Sequence, residues 1–112
     1  MLRGDIYRVR PDPIEGSEQA GARPAVIVSR DAINRHSPVV VISPLTSVVN
    51  VQRSYPSDVL VRAPEGGLKD DSVVLTLQVR AVAKTRLGER LGKLESTTMQ
   101  AVAQAMRITL DI

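Results

Sequence analysis

The apolar residues of this 112-residue chain come in short β-branched runs, each cut off by turn-forming residues, which leaves little room for helices before residue 95. Asp5-Ile-Tyr-Arg-Val9 alternates polar and apolar side chains, the period-two signature of a half-buried strand. Pro11 and Pro13 end it, and a polar loop follows to about Ala22. Ala25-Val-Ile-Val-Ser29 is a continuous apolar strand, predicted to be central. Arg30–His36 reads as a turn or a short helical piece before Pro38, and Val39-Val-Val-Ile-Ser43 as the next strand. Pro44 is expected to end regular pairing there, since it has no N–H to give to a ladder. Two more strands are predicted over Asp58–Val61 and Ser72–Val79, linked by the turn-rich Ala63-Pro-Glu-Gly-Gly67.

Near the C-terminus the period changes. Met99, Val102, Met106 and Leu110 recur at helical spacing, with Ala101, Ala103 and Ala105 between them. Thr97 and Gln100 have the spacing of a capping box, in which each side chain satisfies a free backbone donor, and this predicts a helix over about 97–108. Several short strands closed by one helix give a mainly β, α+β class: a small, strongly bent antiparallel sheet or barrel, in one domain over residues 1–112. Such a sheet exposes edges and a flat face, so a homodimer is expected.

Composition removes whole classes of chemistry. The chain has no cysteine, which excludes disulfides, thiolate metal sites and a cysteine nucleophile. Its single histidine, His36, cannot build a metal cage or a two-histidine acid–base pair, so neither metal nor cofactor is expected. No apolar run approaches the roughly 20 residues of a membrane-spanning helix. Met1–Arg10 carries charges with no apolar segment behind them, so a cytoplasmic protein without membrane contact is expected. The net charge is +3, and 12 of the 15 cations are arginines. Arginine presents a planar fork suited to phosphates and base edges, although genome composition produces the same bias. With Tyr7 and Tyr55 as the only aromatics, stacking platforms are not expected to dominate binding.

Two segments concentrate reactive groups. The loop Gly16-Ser-Glu-Gln-Ala-Gly-Ala-Arg-Pro24 brings Glu18, Gln19 and Arg23 up to the start of a strand. Ser43-Pro-Leu-Thr-Ser47 offers the hydroxyls of Thr46 and Ser47 at the exit of the next strand. If these two strands pair antiparallel, the start of one lies beside the end of the other. Arg23 and Thr46 would then converge as a phosphate-binding pair able to stabilise a pentacoordinate transition state.

Taken in order, GDIY (4–7), GSEQAGARP (16–24), AVIVSRD (25–31), NRHSP (34–38), SPLTS (43–47) and DSVVLTLQVR (71–80) with KTRL (84–87) resemble the MazF/PemK family of toxins. The resemblance runs from residue 4 to the C-terminal helix. It implies an SH3-like barrel with a C-terminal helix, assembled as a homodimer. It also implies a metal-independent, ribosome-independent endoribonuclease that cuts single-stranded RNA at short sequences, leaving 2′,3′-cyclic phosphate and 5′-hydroxyl ends. Such an enzyme is the toxin of a type II toxin–antitoxin system and inhibits growth and translation. The family's catalytic arginine and threonine fall on Arg23 and Thr46. Arg23 would bind the scissile phosphate and donate a proton to the leaving oxygen, and Thr46 would hold a phosphate oxygen. The implied partner is a cognate antitoxin with an acidic, partly disordered segment.

Other residues carry paired readings. An arginine is a poor base, so Glu18 is the nearest candidate to take the 2′-hydroxyl proton; equally, it orients Arg23. Ser17, Gln19, Ser47, Gln78 and Arg80 are candidate RNA contacts, with Gln78 on a late strand offering an amide to a base edge and Arg80 bracing the sheet or dimer as its alternative. His36 reads as a turn histidine rather than a catalytic group, and Asn34 and Arg35 as turn-shaping residues. Arg8 stands where relatives often carry an aromatic residue, so the cleavage sequence does not transfer from them. The loop around Gly16 and Gly21 is expected to be mobile for want of anchors. A gyrase poison of the CcdB type and a non-catalytic SH3-like binding module are the competing functions.

Overall fold

Every strand pairing among the described residues is antiparallel, as expected for runs this short. The structure is a computed structural model that describes residues 1–10 and 22–112. Its strands are β1 (Asp5–Val9), β2 (Arg23–Ile27), β3 (Val39–Ser47), β4 (Asp58–Val61), β5 (Ser72–Leu75), β6 (Arg80–Ala83) and β7 (Leu87–Lys93). A short helix, α1 (Asp31–His36), joins β2 to β3, and α2 (Ser96–Leu110) closes the chain. The hydrogen-bonded order is β4-β5-β3-β2-β1-β7, with β6 also on β3. The mainly antiparallel architecture with a C-terminal helix is therefore present, although the ladder does not close: β4 and β7 form no pair.

What joins the two ends is a close backbone approach. The turn Glu65–Gly67 packs on β7, and a Cβ built on Gly67 would stand 1.9 Å from the Leu91 carbonyl oxygen. One on Gly92 would stand 2.5 Å from the carbonyl carbon of Gly66. Gly66 and Gly67 also take positive φ, of 69° and 76°, a region that only glycine enters freely.

The core has two parts, one on each face of the sheet. Ile6, Val26, Leu45, Val59, Val61, Val74 and α2's Met99, Val102 and Ala105 form the larger; Ala25, Ile27, Val40, Ile42 and Val82 form the smaller. Alternate residues of β2 feed opposite parts, which is why Ala25, Val26 and Ile27 are apolar without a break.

Three expectations change. First, Pro44 does not end β3, which continues to Ser47 with Pro44 opposite Ala25. On its other edge β3 pairs with β6 up to Ile42 and with β5 from Leu45, so Ser43 and Pro44 fall in a gap where no N–H is called for. The buried Ser43 hydroxyl fills that gap by donating to the Leu75 carbonyl at 2.9 Å. Second, Ser72–Val79 is not one strand: a 3₁₀ turn, Thr76–Gln78, separates β5 from β6. Between Leu45 and Ile42 the partner advances from Val74 to Arg80, three residues more than an unbroken ladder needs. That odd number sends Val74 to one core and Val82 to the other. Third, α2 begins at Ser96 with Glu95 as its N-cap and no capping side chain, so the Thr97–Gln100 box does not form. Instead the Glu95 N–H donates to the Glu65 carboxylate at 3.0 Å, which places an acid beside the helix start. Leu110, expected on the packed face, is 49% exposed, and Ala105 is buried in its stead.

Candidate active site

The pairing of β2 with β3 sets Ala25 opposite Pro44, Val26 opposite Ser43 and Ile27 opposite Ile42. Continued two residues outward, this register sets Arg23, the exposed first residue of β2, across from the half-buried Thr46. The two residues share the lining of the same clefts. Both line a cleft of about 610 Å³ and a second of about 470 Å³, and Arg23 also lines a third of about 280 Å³.

Thr46 is held from below. After Ser47 the chain turns through the 3₁₀ segment Val48–Asn50, which folds Asn50 back so that its Nδ2 donates to the Thr46 hydroxyl oxygen at 3.3 Å. The Ser47 hydroxyl accepts from the Val49 N–H at 3.4 Å and starts that turn; Ser47 also lines the 610 Å³ cleft. An amide donating into the Thr46 oxygen leaves the hydroxyl proton to point elsewhere, which suits a donor to an anionic oxygen.

The Thr76–Gln78 turn brings Gln78 to the same place. Gln78 is exposed and lines both the 470 and the 280 Å³ clefts beside Arg23; it sits in the turn, not on a strand. Thr76 anchors the turn: fully buried, it donates to the Ser57 carbonyl at 2.7 Å and shares a 2.8 Å bond with the Thr109 hydroxyl. Arg80, the first residue of β6, lines the 280 Å³ cleft with Arg10, Arg23 and Arg86, and no acidic residue is among its described lining residues. Backbone carbonyls help hold two of these guanidiniums: Arg10 donates to Thr85 O at 2.6 Å, and Arg86 donates to Arg10 O at 2.7 Å. Four arginines lining one cleft raise its positive potential, which favours a polyanion.

The 610 Å³ cleft is more mixed, with Arg8, Lys69 and Arg90 beside Asp70 and Glu89. Arg8 and Glu89 lie 3.7 Å apart and well exposed, a contact of little energetic weight. Arg90 reaches the buried Asp5 at 3.1 Å. Burial pushes the Asp5 carboxyl up, but the Leu2 N–H at 2.8 Å and the Arg90 guanidinium outweigh it and hold the group below the usual carboxylate range.

Ser17, Glu18, Gln19 and the glycines of their loop lie outside the described residues. The remaining candidates are away from the clefts. Asn34 is buried, bonded to the Ser29 hydroxyl and donating to its carbonyl at 2.9 Å, so it ties α1 to the end of β2. Arg35 and His36 are exposed on α1 and line none of the three clefts. Sequence reading did not single out Asn50, Arg53 or Lys69, and it set Tyr55 aside with the aromatics. The one signal was the turn Tyr55-Pro-Ser-Asp58, which delivers Tyr55 and Arg53 to the 470 Å³ cleft.

Residues 2–110 match the profile of a family described as PemK-like, MazF-like toxin of type II toxin–antitoxin system. The chain is 38% identical over 112 residues to endoribonuclease MazF of Staphylococcus saprophyticus, covering 100% of this chain and 92% of that one. Among solved structures it resembles a mycobacterial endoribonuclease in complex with its cognate antitoxin, with TM-score 0.81, 29% identity and coverage of 100% and 96% of the two chains. It likewise resembles a MazF toxin of Mycobacterium tuberculosis, with TM-score 0.80, 27% identity and coverage of 96% and 97%.

Proposed function

We propose, for a chain that belongs to the PemK-like, MazF-like toxins of type II toxin–antitoxin systems, that its endoribonuclease activity is carried by Arg23 and Thr46 at the shared wall of the clefts. The observation that carries this reading is the β2–β3 register, which, continued two residues past Ala25 and Pro44, leads to Arg23 and Thr46 across from each other, beside clefts that both residues line. The substrate is single-stranded RNA. Its phosphates follow the arginine-lined cleft, and the scissile phosphodiester rests between the Arg23 guanidinium and the Thr46 hydroxyl.

In the reaction the ribose 2′-oxygen gives up its proton and attacks phosphorus, the bond from phosphorus to O5′ breaks, and the leaving O5′ takes up a proton. The products are a 2′,3′-cyclic phosphate and a 5′-hydroxyl. Negative charge grows on the non-bridging oxygens, where a guanidinium fork and a hydroxyl donor bind the transition state more tightly than the ground state. The charge of Arg23 does the work a metal ion would do, so cleavage proceeds in excess EDTA. A guanidinium is a poor base, so Glu18 is the candidate to take the 2′-hydroxyl proton or to orient Arg23, and Arg23 is the candidate to give a proton to the leaving O5′.

The toxin acts in the cytoplasm as a homodimer, inhibits growth by cutting RNA, and is neutralised by an antitoxin whose acidic segment folds on binding. Leu60, Leu77, Ile108 and Leu110 are large apolar residues left exposed, which supports a second copy as their partner. No helix among the described residues is long and apolar enough to cross a membrane.

The test is to incubate purified protein with a long single-stranded RNA in EDTA and map the ends by primer extension. Discrete cuts at one short sequence are expected, reduced by about 10²-fold or more in Arg23→Ala and Thr46→Ala while the fold is kept. Cleavage that survives both substitutions would remove the pair from the chemistry.

A further inference from the structure

Resting on the reading that Arg23 and Thr46 hold the scissile phosphate, we propose that Tyr55 is the stacking platform for a nucleobase beside that phosphate, and that the 470 Å³ cleft is its base subsite. The phosphate sits at a wall common to two clefts, so the nucleosides on its two sides enter different spaces. Only one of those spaces contains an aromatic ring. Tyr55 lines the 470 Å³ cleft and is 45% exposed, whereas the chain's other aromatic, Tyr7, is half-buried against the smaller core.

The ring is presented by a backbone already fixed. The Tyr55 N–H donates to the Asp58 carboxylate at 2.9 Å, and the Asp58 N–H donates back to the Tyr55 carbonyl at 2.9 Å. A reciprocal pair of this kind closes the turn before any ligand arrives, so binding does not have to supply the ordering. The same cleft is lined by the groups a base edge needs. The amides of Gln52 and Gln78 each offer donors and an acceptor, and Arg53 supplies a cation for the flanking phosphate. An aromatic face for stacking with amides at its rim is the arrangement by which single-stranded RNA is read. A chain almost without aromatics thus keeps one where a splayed base would lie.

The chain has no tryptophan, so Tyr55→Trp gives a chain with a single tryptophan, placed in the cleft and excited apart from Tyr7 at long wavelength. The probe is an oligonucleotide holding the mapped cleavage sequence, with 2′-deoxyribose at the cut nucleotide so that it binds without reacting. Its titration is expected to quench Tyr55→Trp emission by half or more, and to leave unchanged an Ile33→Trp control on α1, away from the clefts. In parallel, Tyr55→Phe keeps kcat/KM within about threefold, since stacking does not need the phenol. Tyr55→Ala lowers it by roughly ten- to a hundredfold, mainly through KM, and relaxes the preference at one nucleotide flanking the cut. Unquenched emission at saturating oligonucleotide, or Tyr55→Ala cutting the same sites at the wild-type rate, would overturn the inference. Such results with Arg23→Ala still inactive would leave the nuclease reading standing. Cleavage that survives loss of Arg23 and Thr46 would instead remove the reading on which this subsite depends.

Discussion

The side-chain amide of Asn50 donates to the hydroxyl oxygen of Thr46 at 3.3 Å, four residues back along the chain. The direction of this bond decides what Thr46 can do, because an oxygen that accepts from Asn50 has its own proton to give away. Asn50→Ala removes the orientation, and a loss of about tenfold in single-turnover cleavage is expected. Asn50→Asp keeps the shape but offers only acceptors, so it draws the Thr46 proton to itself and sets a charge against the phosphate. A loss of about 10²-fold or more is expected there, comparable to removing a transition-state donor. Equal rates for the two variants, with circular dichroism unchanged, would count against an orienting role.

The Asp5 carboxylate links acid to stability. Its pKa in the folded protein lies below the usual carboxylate value, with burial opposing and Leu2 and Arg90 prevailing. The folded state therefore binds this proton less readily than the unfolded chain does. The stabilisation is fully present above about pH 4, the ordinary aspartate range, and fades as the pH falls through the depressed value. Asp5→Asn is expected to cost about 1–3 kcal/mol at neutral pH, as for a hydrogen bond to a charged group, and progressively less as the pH drops below 4. Thermal melts of both proteins from pH 2 to pH 7 check this. A gap in melting temperature that stays constant across the range would contradict it.

The joint between the two ends of the sheet predicts a steep contrast between glycines. Gly67 has φ 76°, and a Cβ there would fall 1.9 Å from the Leu91 carbonyl oxygen, so an alanine must both strain its own backbone and push β7 away. Gly67→Ala is expected to cost about 2–4 kcal/mol, a fall of about 10–20 °C in melting temperature. At Gly88 the nearest atom to such a Cβ is Arg8 O at 3.2 Å and no positive φ is involved. Gly88→Ala should therefore shift the melt by only a few degrees. Similar melts for the two variants would show that the joint yields easily.

Much of this was legible in the residues, and the failures have physical causes. Alternation found β1 within its observed bounds, and β-branched runs located β2 and the start of β3, because those strands bury the side chains that make the pattern. Pro44 misled because its missing N–H matters only where a partner asks for it, and the gap between β5 and β6 is invisible until the third strand is in place. β7 escaped because Leu87-Gly-Glu-Arg-Leu-Gly-Lys93 is exposed or half-buried and interrupted by two glycines, of which Gly92 serves the close backbone approach to Gly66. At the site, Arg23 and Thr46 stood out as reactive groups at strand ends. Asn50 and Tyr55 did not, since an asparagine and a tyrosine in a polar loop gain meaning only from what the turns fold them against.

The odd-length turn between β5 and β6 constrains how this toxin can diversify. Val74 and Val82 serve opposite cores only because three residues stand outside the ladder between them. Gaining or losing a single residue there would turn the valine side of β6 outward and bring its polar side in, whereas a change of two would preserve both cores. Gln78, on the clefts, is thus free to vary in identity, while the count of residues around it is held to one parity. Variation at this position should therefore arise by substitution, with the length of the segment kept.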